Sequence, residues 1–148
     1  MKTFDFSKFK SLKQLLQAFK TEADCIHFLE EKLWDEKVPT SPYDPTSKVY
    51  RRGDGYYRCK NTGKNFSIRK GTFMEGSNIP LTDWFIAAYL ITSSKNGINT
   101  TQLRVYLDVS KKTAWFMLQR IRQAFVQNPT EKFDGVVEVD ETYVGGKN

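Results

Sequence analysis

Pro39, Pro42 and Pro45 fall within seven residues of one another, and this spacing limits the fold more than any other feature of the chain. Proline has no amide proton and clashes with the preceding helical turn, so no helix can run through such a stretch. Any helical pattern has to stop before it. The chain beyond it must be built differently.

Upstream, residues 11–34 show helical periodicity. Leu12, Leu15, Leu16 and Phe19, then Ala23, Ile26, Phe28, Leu29 and Leu33, recur near three-and-four spacing. Thr21 followed by Glu22, Ala23 and Asp24 suits a helix start, which predicts a short helix and then a longer one. Downstream, "KVYRRGDGYYRC" reads as two strands joined by Gly53-Asp54-Gly55, and "KNFSI" as a third after the turn Asn61-Thr62-Gly63. Three short strands in about 35 residues bury too little to be stable alone, so this piece needs a staple.

From Pro80 the pattern is helical again. "PLTDWFIAAYLITSSKNG" repeats Trp84, Phe85, Ala88, Tyr89 and Ile91 and is expected to run to Gly97. Two more helices come next, Thr100 to Leu107 and Lys111 to about Phe125, separated by Asp108-Val109-Ser110. Leu103, Leu107, Val109, Ala114, Leu118 and Ile121 form the expected buried face, and Ser110 the N-cap of the second helix, as in a helix-turn-helix. That leaves Lys111, Lys112, Thr113, Gln119, Arg120 and Arg122 for a partner. Residues at the helix start would meet base edges, and the arginines further along would hold phosphates. Such a helical trio also serves as a plain packing module. Last comes "GVVEVDETYV", a strand with Val137 and Val139 on one side and Glu138, Asp140 and Thr142 on the other.

Composition fits a folded chain, with 39% hydrophobic and 14% aromatic residues. No apolar run approaches the roughly 18 residues of a membrane span, and the N-terminus has no apolar signal core, so a cytoplasmic location is expected. Cys25 and Cys59 are then expected as free thiols. The net charge of +6 is uneven. Residues 48–76 and 104–122 are strongly basic, the first 37 residues are balanced, and the last 26 are acidic. Such a pattern suits a polyanion-binding middle, and adds Arg51, Arg52, Arg58, Lys60, Arg69 and Lys70 to the candidate DNA contacts.

The hairpin region is similar to a zinc ribbon, whose metal needs two Cys-x-x-Cys knuckles. "SPYDPTSKVY" stands where such ribbons have Cys-Pro-x-Cys-Gly-Ser, and "YRCKNTGKNFSI" where they have Tyr-x-Cys-x-x-Cys-x-x-x-Phe-Ser. Cys59 is the one ribbon cysteine retained, with Ser41, Asp44 and Thr62 at the other three positions. Zinc is therefore not expected, and the ribbon's shape is expected to rest on Tyr50, Tyr56, Tyr57 and Phe66.

Together with "YRCKNTGKNFSIRKGTFMEGSNIPLTDWF", "KKTAWFMLQRIRQAF" and "EVDETYVGGKN", the chain from about residue 22 to 148 resembles transposases of bacterial insertion sequences. These have an N-terminal zinc ribbon, a helical DNA-binding segment and a DDE-type, ribonuclease H-like catalytic domain. The resemblance implies an α+β chain in four parts. They are N-terminal helices (1–37), a degenerate zinc-ribbon-like β region (38–76), a three-helix, helix-turn-helix-like DNA-binding segment (77–127), and a linker with the first catalytic-domain strand (128–148). It places Asp140 at the first of three carboxylates that would hold magnesium in a complete enzyme. The second and third are expected beyond Asn148, so the chain as given is expected to be catalytically incomplete. The implied partner is double-stranded DNA at an element's terminal repeats, met as a homo-oligomer and without a membrane. The implied role is the DNA-binding portion of a transposase; the alternative is a stand-alone, non-catalytic DNA-binding regulator derived from one.

Overall fold

Helix starts are set by local capping. In the computed structural model, which describes residues 2–53 and 55–127, Ser11 caps α1 (Leu12–Ala18) by accepting from the Gln14 amide. Thr21 opens α2 (Glu22–Leu33) with a reciprocal capping box, its side chain accepting from the Asp24 amide and the Asp24 carboxylate accepting in return. A 3-10 turn, Asp35–Lys37, then carries Glu36 and Lys37 in the left-handed region, at φ 54° and 59°. Such a conformation is costly for residues with a Cβ. The Lys37 carbonyl accepts from Arg51 Nη2 at 2.7 Å, a tertiary bond that helps hold the reversal ahead of the prolines.

The strands are β1 (Val49–Gly53), β2 (Tyr56–Cys59) and β3 (Asn65–Ser67), paired antiparallel in the order β1-β2-β3. A bulge at Arg52 shifts the register between Arg51 and Gly53. Gly55, at φ 81°, turns the chain beneath α2, where an added Cβ would lie 3.2 Å from Ile68 Cγ2. Alternation along the strands turns Tyr57, Cys59 and Phe66 inward, and the Tyr57 and Phe66 rings stack at 5.4 Å. Tyr50 and Tyr56 face outward, so only two of the four aromatics expected to hold the ribbon do so.

Helix α3 (Leu81–Ser93) follows Pro80, which has no side chain to cap with. The Glu22 carboxylate of α2 does the capping instead, accepting from the Leu81 and Thr82 amides at 2.9 and 3.0 Å. The helix ends four residues before Gly97. Ser93 donates back to the Tyr89 carbonyl, an interaction that competes with the helical backbone, and Ser94 is the C-cap. Helices α4 (Thr100–Leu107) and α5 (Lys111–Gln127) complete the α+β fold of five helices and a small sheet among the described residues.

One buried cluster joins all these parts, from Phe4 and Phe6 through α1, α2 and the sheet to Phe125 of α5. Its centre is aromatic, with Phe19, Phe28 and Phe85 meeting edge to face at 4.9–5.5 Å. The extended N-terminal segment, unassigned from sequence, inserts Phe4 and Phe6 here and is tied down by a parallel bridge between Lys2 and Thr72. Leu16 and Ala23, counted in the apolar periodicity, are exposed.

Candidate nucleic-acid interface

The two C-terminal helices are positioned by their caps. Asn99 and Gln102 form a capping box at the start of α4, and Asp108 ends it in the left-handed conformation, at φ 54°. Ser110 starts α5, its hydroxyl accepting from the Thr113 amide at 3.1 Å and lying 3.0 Å from Thr113 Oγ1. Leu103, Ala114, Met117, Leu118, Ile121, Ala124 and Phe125 are buried. Leu107 and Val109 are partly buried against them, as the periodicity predicted.

With that stripe inside, the opposite face of α5 presents Lys112, Trp115, Gln119 and Gln123 to solvent, with Lys111 at its start. Trp115 is 55% exposed. A search of the sequence for polar contacts misses it, although its spacing of four from both Lys111 and Gln119 marks the same face. Two lysines in a first turn that has no acid oppose the helix dipole. That arrangement costs about 0.3–1 kcal/mol per charge, so helix stability gives no reason for it. An anionic partner would.

The other candidate residues divide into those with intramolecular partners and those exposed. Arg120 Nη1 donates to the Phe73 and Glu75 carbonyls at 3.3 and 2.9 Å, and its guanidinium lies 4.9 Å from the Phe116 ring centroid. Arg122 Nη2 donates to the Ile98 carbonyl at 3.3 Å. These two arginines flank the buried stripe and tie α5 to its surroundings. Thr113 is half-buried and engaged in the cap. Arg69 is half-buried, with Nη1 donating to the Ser77 and Ile79 carbonyls. Lys70 pairs with Glu75 at 3.4 Å. Arg52, Arg58 and Lys60 are exposed on the ribbon.

Arg120→Ala is therefore expected to destabilise the fold by about 1–3 kcal/mol, through two lost charged hydrogen bonds. It should leave the salt dependence of any DNA binding unchanged. A phosphate contact would instead lower that slope by about 0.9, which a titration at several salt concentrations resolves.

Arg51, itself half exposed, reaches the buried Glu30 carboxylate. Tyr57 donates to Glu30 Oε2 at 2.6 Å, and Arg51 Nε and Nη2 donate to the same carboxylate at 3.3 Å each. Burial pushes the Glu30 carboxyl up, but the bonds from Tyr57 and Arg51 outweigh it and hold the group below its ordinary range. A depressed carboxyl contributes stability above its unfolded pKa and loses it as pH falls through the folded value. Glu30→Gln should accordingly cost about 2 kcal/mol at neutral pH. The gap from wild type should close below about pH 4, as denaturation at several pH values would show.

The ribbon knuckles do not fit zinc. Cys59 is fully buried, its sulfur lying among the hydroxyls of Ser41, Ser47 and Thr62 and the Thr62 backbone. Burial pushes the thiol up, yet hydrogen bonding from these neighbours brings it down to about 6. The Ser47 hydroxyl donates to the Lys48 carbonyl at 2.9 Å, which leaves Ser41 and Thr62 as the hydroxyl donors to sulfur. The Asp44 carboxylate is occupied by Thr46 and Asn61, at 2.6 and 2.8 Å. A single thiolate among hydroxyls is a poor donor set for Zn²⁺, and the hydrogen bonds link the two knuckles directly. Both cysteines are free thiols, and burial, with Glu22 and Asp24 nearby, pushes Cys25 up to about 12. Asp140 and the acidic strand lie outside the described residues.

Comparison with known proteins gives one significant match among curated proteins. The chain is similar to an uncharacterized protein in transposable element ISH50 of Halobacterium salinarum, at 36% identity over 97 residues. The match takes in 66% of this chain and 31% of that protein, so the chain spans about a third of its relative's length. No protein-family model matches, and no solved structure does. No helix of the described residues is long and apolar enough to cross a membrane.

Proposed function

We propose that the chain is the DNA-binding portion of an insertion-sequence transposase and meets double-stranded DNA through α5. One observation carries this reading: the outward face of α5 gathers Lys111, Lys112, Trp115 and Gln119 while the apolar stripe and both arginines turn inward. Lys111 and Lys112 take phosphates at the helix start, and Trp115 and Gln119 lie against the groove. The likeness to a transposable-element protein supports the setting, and the three motifs in transposase order support the family. In a complete enzyme Asp140 would be the first magnesium-holding carboxylate.

Titrating a mixed-sequence duplex at low and raised salt tests the reading. Binding that weakens steeply with salt is expected, because displacing counterions from phosphates drives such contacts. Absence of binding, or indifference to salt, would leave the helices as a packing module.

A further inference from the structure

We propose that the solvent-facing side of the sheet is a second nucleic-acid contact, one that takes unpaired DNA. It is separate from the duplex contact on α5 and stands or falls by its own residues. The register sets its composition. Tyr50 pairs with Arg58, Arg58 with Asn65, and Tyr56 with Ser67, so these side chains share the face opposite Tyr57 and Phe66. Tyr50 is 42% exposed and Tyr56 55%, whereas Tyr57 is 1% exposed. A three-stranded sheet short of core has little to gain from leaving two of its largest side chains in water.

The charges on this face are unbalanced as well. Arg58 lies beside Tyr50, the bulge residue Arg52 is exposed near them, and Lys48 Nζ is 5.8 Å from the Tyr50 ring centroid. None of the described outward residues of the strands is acidic. The two ion pairs among the described residues lie elsewhere, Arg51 with Glu30 and Lys70 with Glu75. Adjacent arginines thus differ: Arg51 has a carboxylate partner, and Arg52 has none among the described residues.

Rings and cations together select the ligand. Inside a duplex each base face is covered by its stacked neighbours, so a tyrosine ring on a sheet can stack only on a base that is unpaired and splayed out. Duplex phosphates would need the cations alone. Tyr50 and Tyr56 sit diagonally on neighbouring strands, about 7 Å apart at Cβ, so neighbouring bases of one strand could each take a ring while Arg58 and Arg52 hold the backbone.

The test uses the full chain and fluorescence anisotropy with two probes, a labelled oligothymidine of about 20 nucleotides, which cannot pair with itself, and a duplex of equal length. Wild type is expected to bind both. Tyr50→Ala with Tyr56→Ala should weaken oligothymidine binding at least about 30-fold, two stacking contacts being lost, and leave duplex binding within about twofold. Tyr50→Phe with Tyr56→Phe keeps the rings and should restore the single-strand affinity. Arg52→Ala with Arg58→Ala should lower the single-strand salt slope by about 1.4. The proposal is overturned if wild type ignores oligothymidine, if the folded double-alanine variant binds it normally, or if that variant loses both probes equally. Lys111→Ala with Lys112→Ala should show the reverse pattern, so failure of the α5 reading would be seen separately.

Discussion

Alanine at both Lys111 and Lys112 is expected to reduce duplex affinity about 60-fold at 0.1 M salt. Each phosphate neutralised contributes about 0.9 to the slope of log affinity against log salt, so two contacts amount to about 1.8 decades at that concentration. The slope itself should fall by the same amount. Stability should move the opposite way or not at all, since both lysines stand in the acid-free first turn of α5, where a positive charge opposes the helix dipole. A loss of affinity together with an unchanged or raised melting temperature would separate a binding role from a structural one. An unchanged salt slope would refute the contact.

Trp84→Ala is expected to cost about 3–5 kcal/mol, a large part of what a domain of this size usually has. Its indole is fully buried, meeting Phe73 at 5.6 Å and Phe116 of α5 at 6.0 Å, and its Nε1 donates to Ser77 Oγ at 2.9 Å. Ser77 Oγ also accepts from the Ile79 amide, and Arg69 donates to the Ser77 carbonyl, so the substitution removes both volume and a polar anchor. Urea denaturation should show the midpoint fall sharply. A loss under about 1 kcal/mol would mean that the site collapses around the missing ring. Because Phe116 belongs to α5, the variant should also bind duplex less well wherever it is partly unfolded.

The α+β class and the helix starts could be read from sequence because capping is local: Thr21 with Asp24, and Ser110 with Thr113, declare themselves within four residues. The side each tyrosine faces was less visible. Tyr56 and Tyr57 are adjacent in one strand and must point opposite ways, yet all four ribbon aromatics looked alike as bulk. Arg120 and Arg122 read as phosphate ligands by charge alone. Their inward turn depends on the Phe73, Glu75 and Ile98 carbonyls, which lie far away in sequence. Glu30 gave no signal at all, since its importance comes from partners 21 and 27 residues on. Phe4 and Phe6 follow no helical period, and only packing makes them core.

That last feature bears on how the protein can be subdivided. The resemblance to transposases starts near residue 22, which invites a fragment trimmed to Glu22. The cut would withdraw Phe4, Phe6 and Phe19 from contact with Phe28 and Phe85, remove the buried Leu15, and release the tether between Lys2 and Thr72. The segment upstream of the resemblance thus acts as an internal plug for the part that carries it, and resemblance and foldability give different boundaries for the same unit.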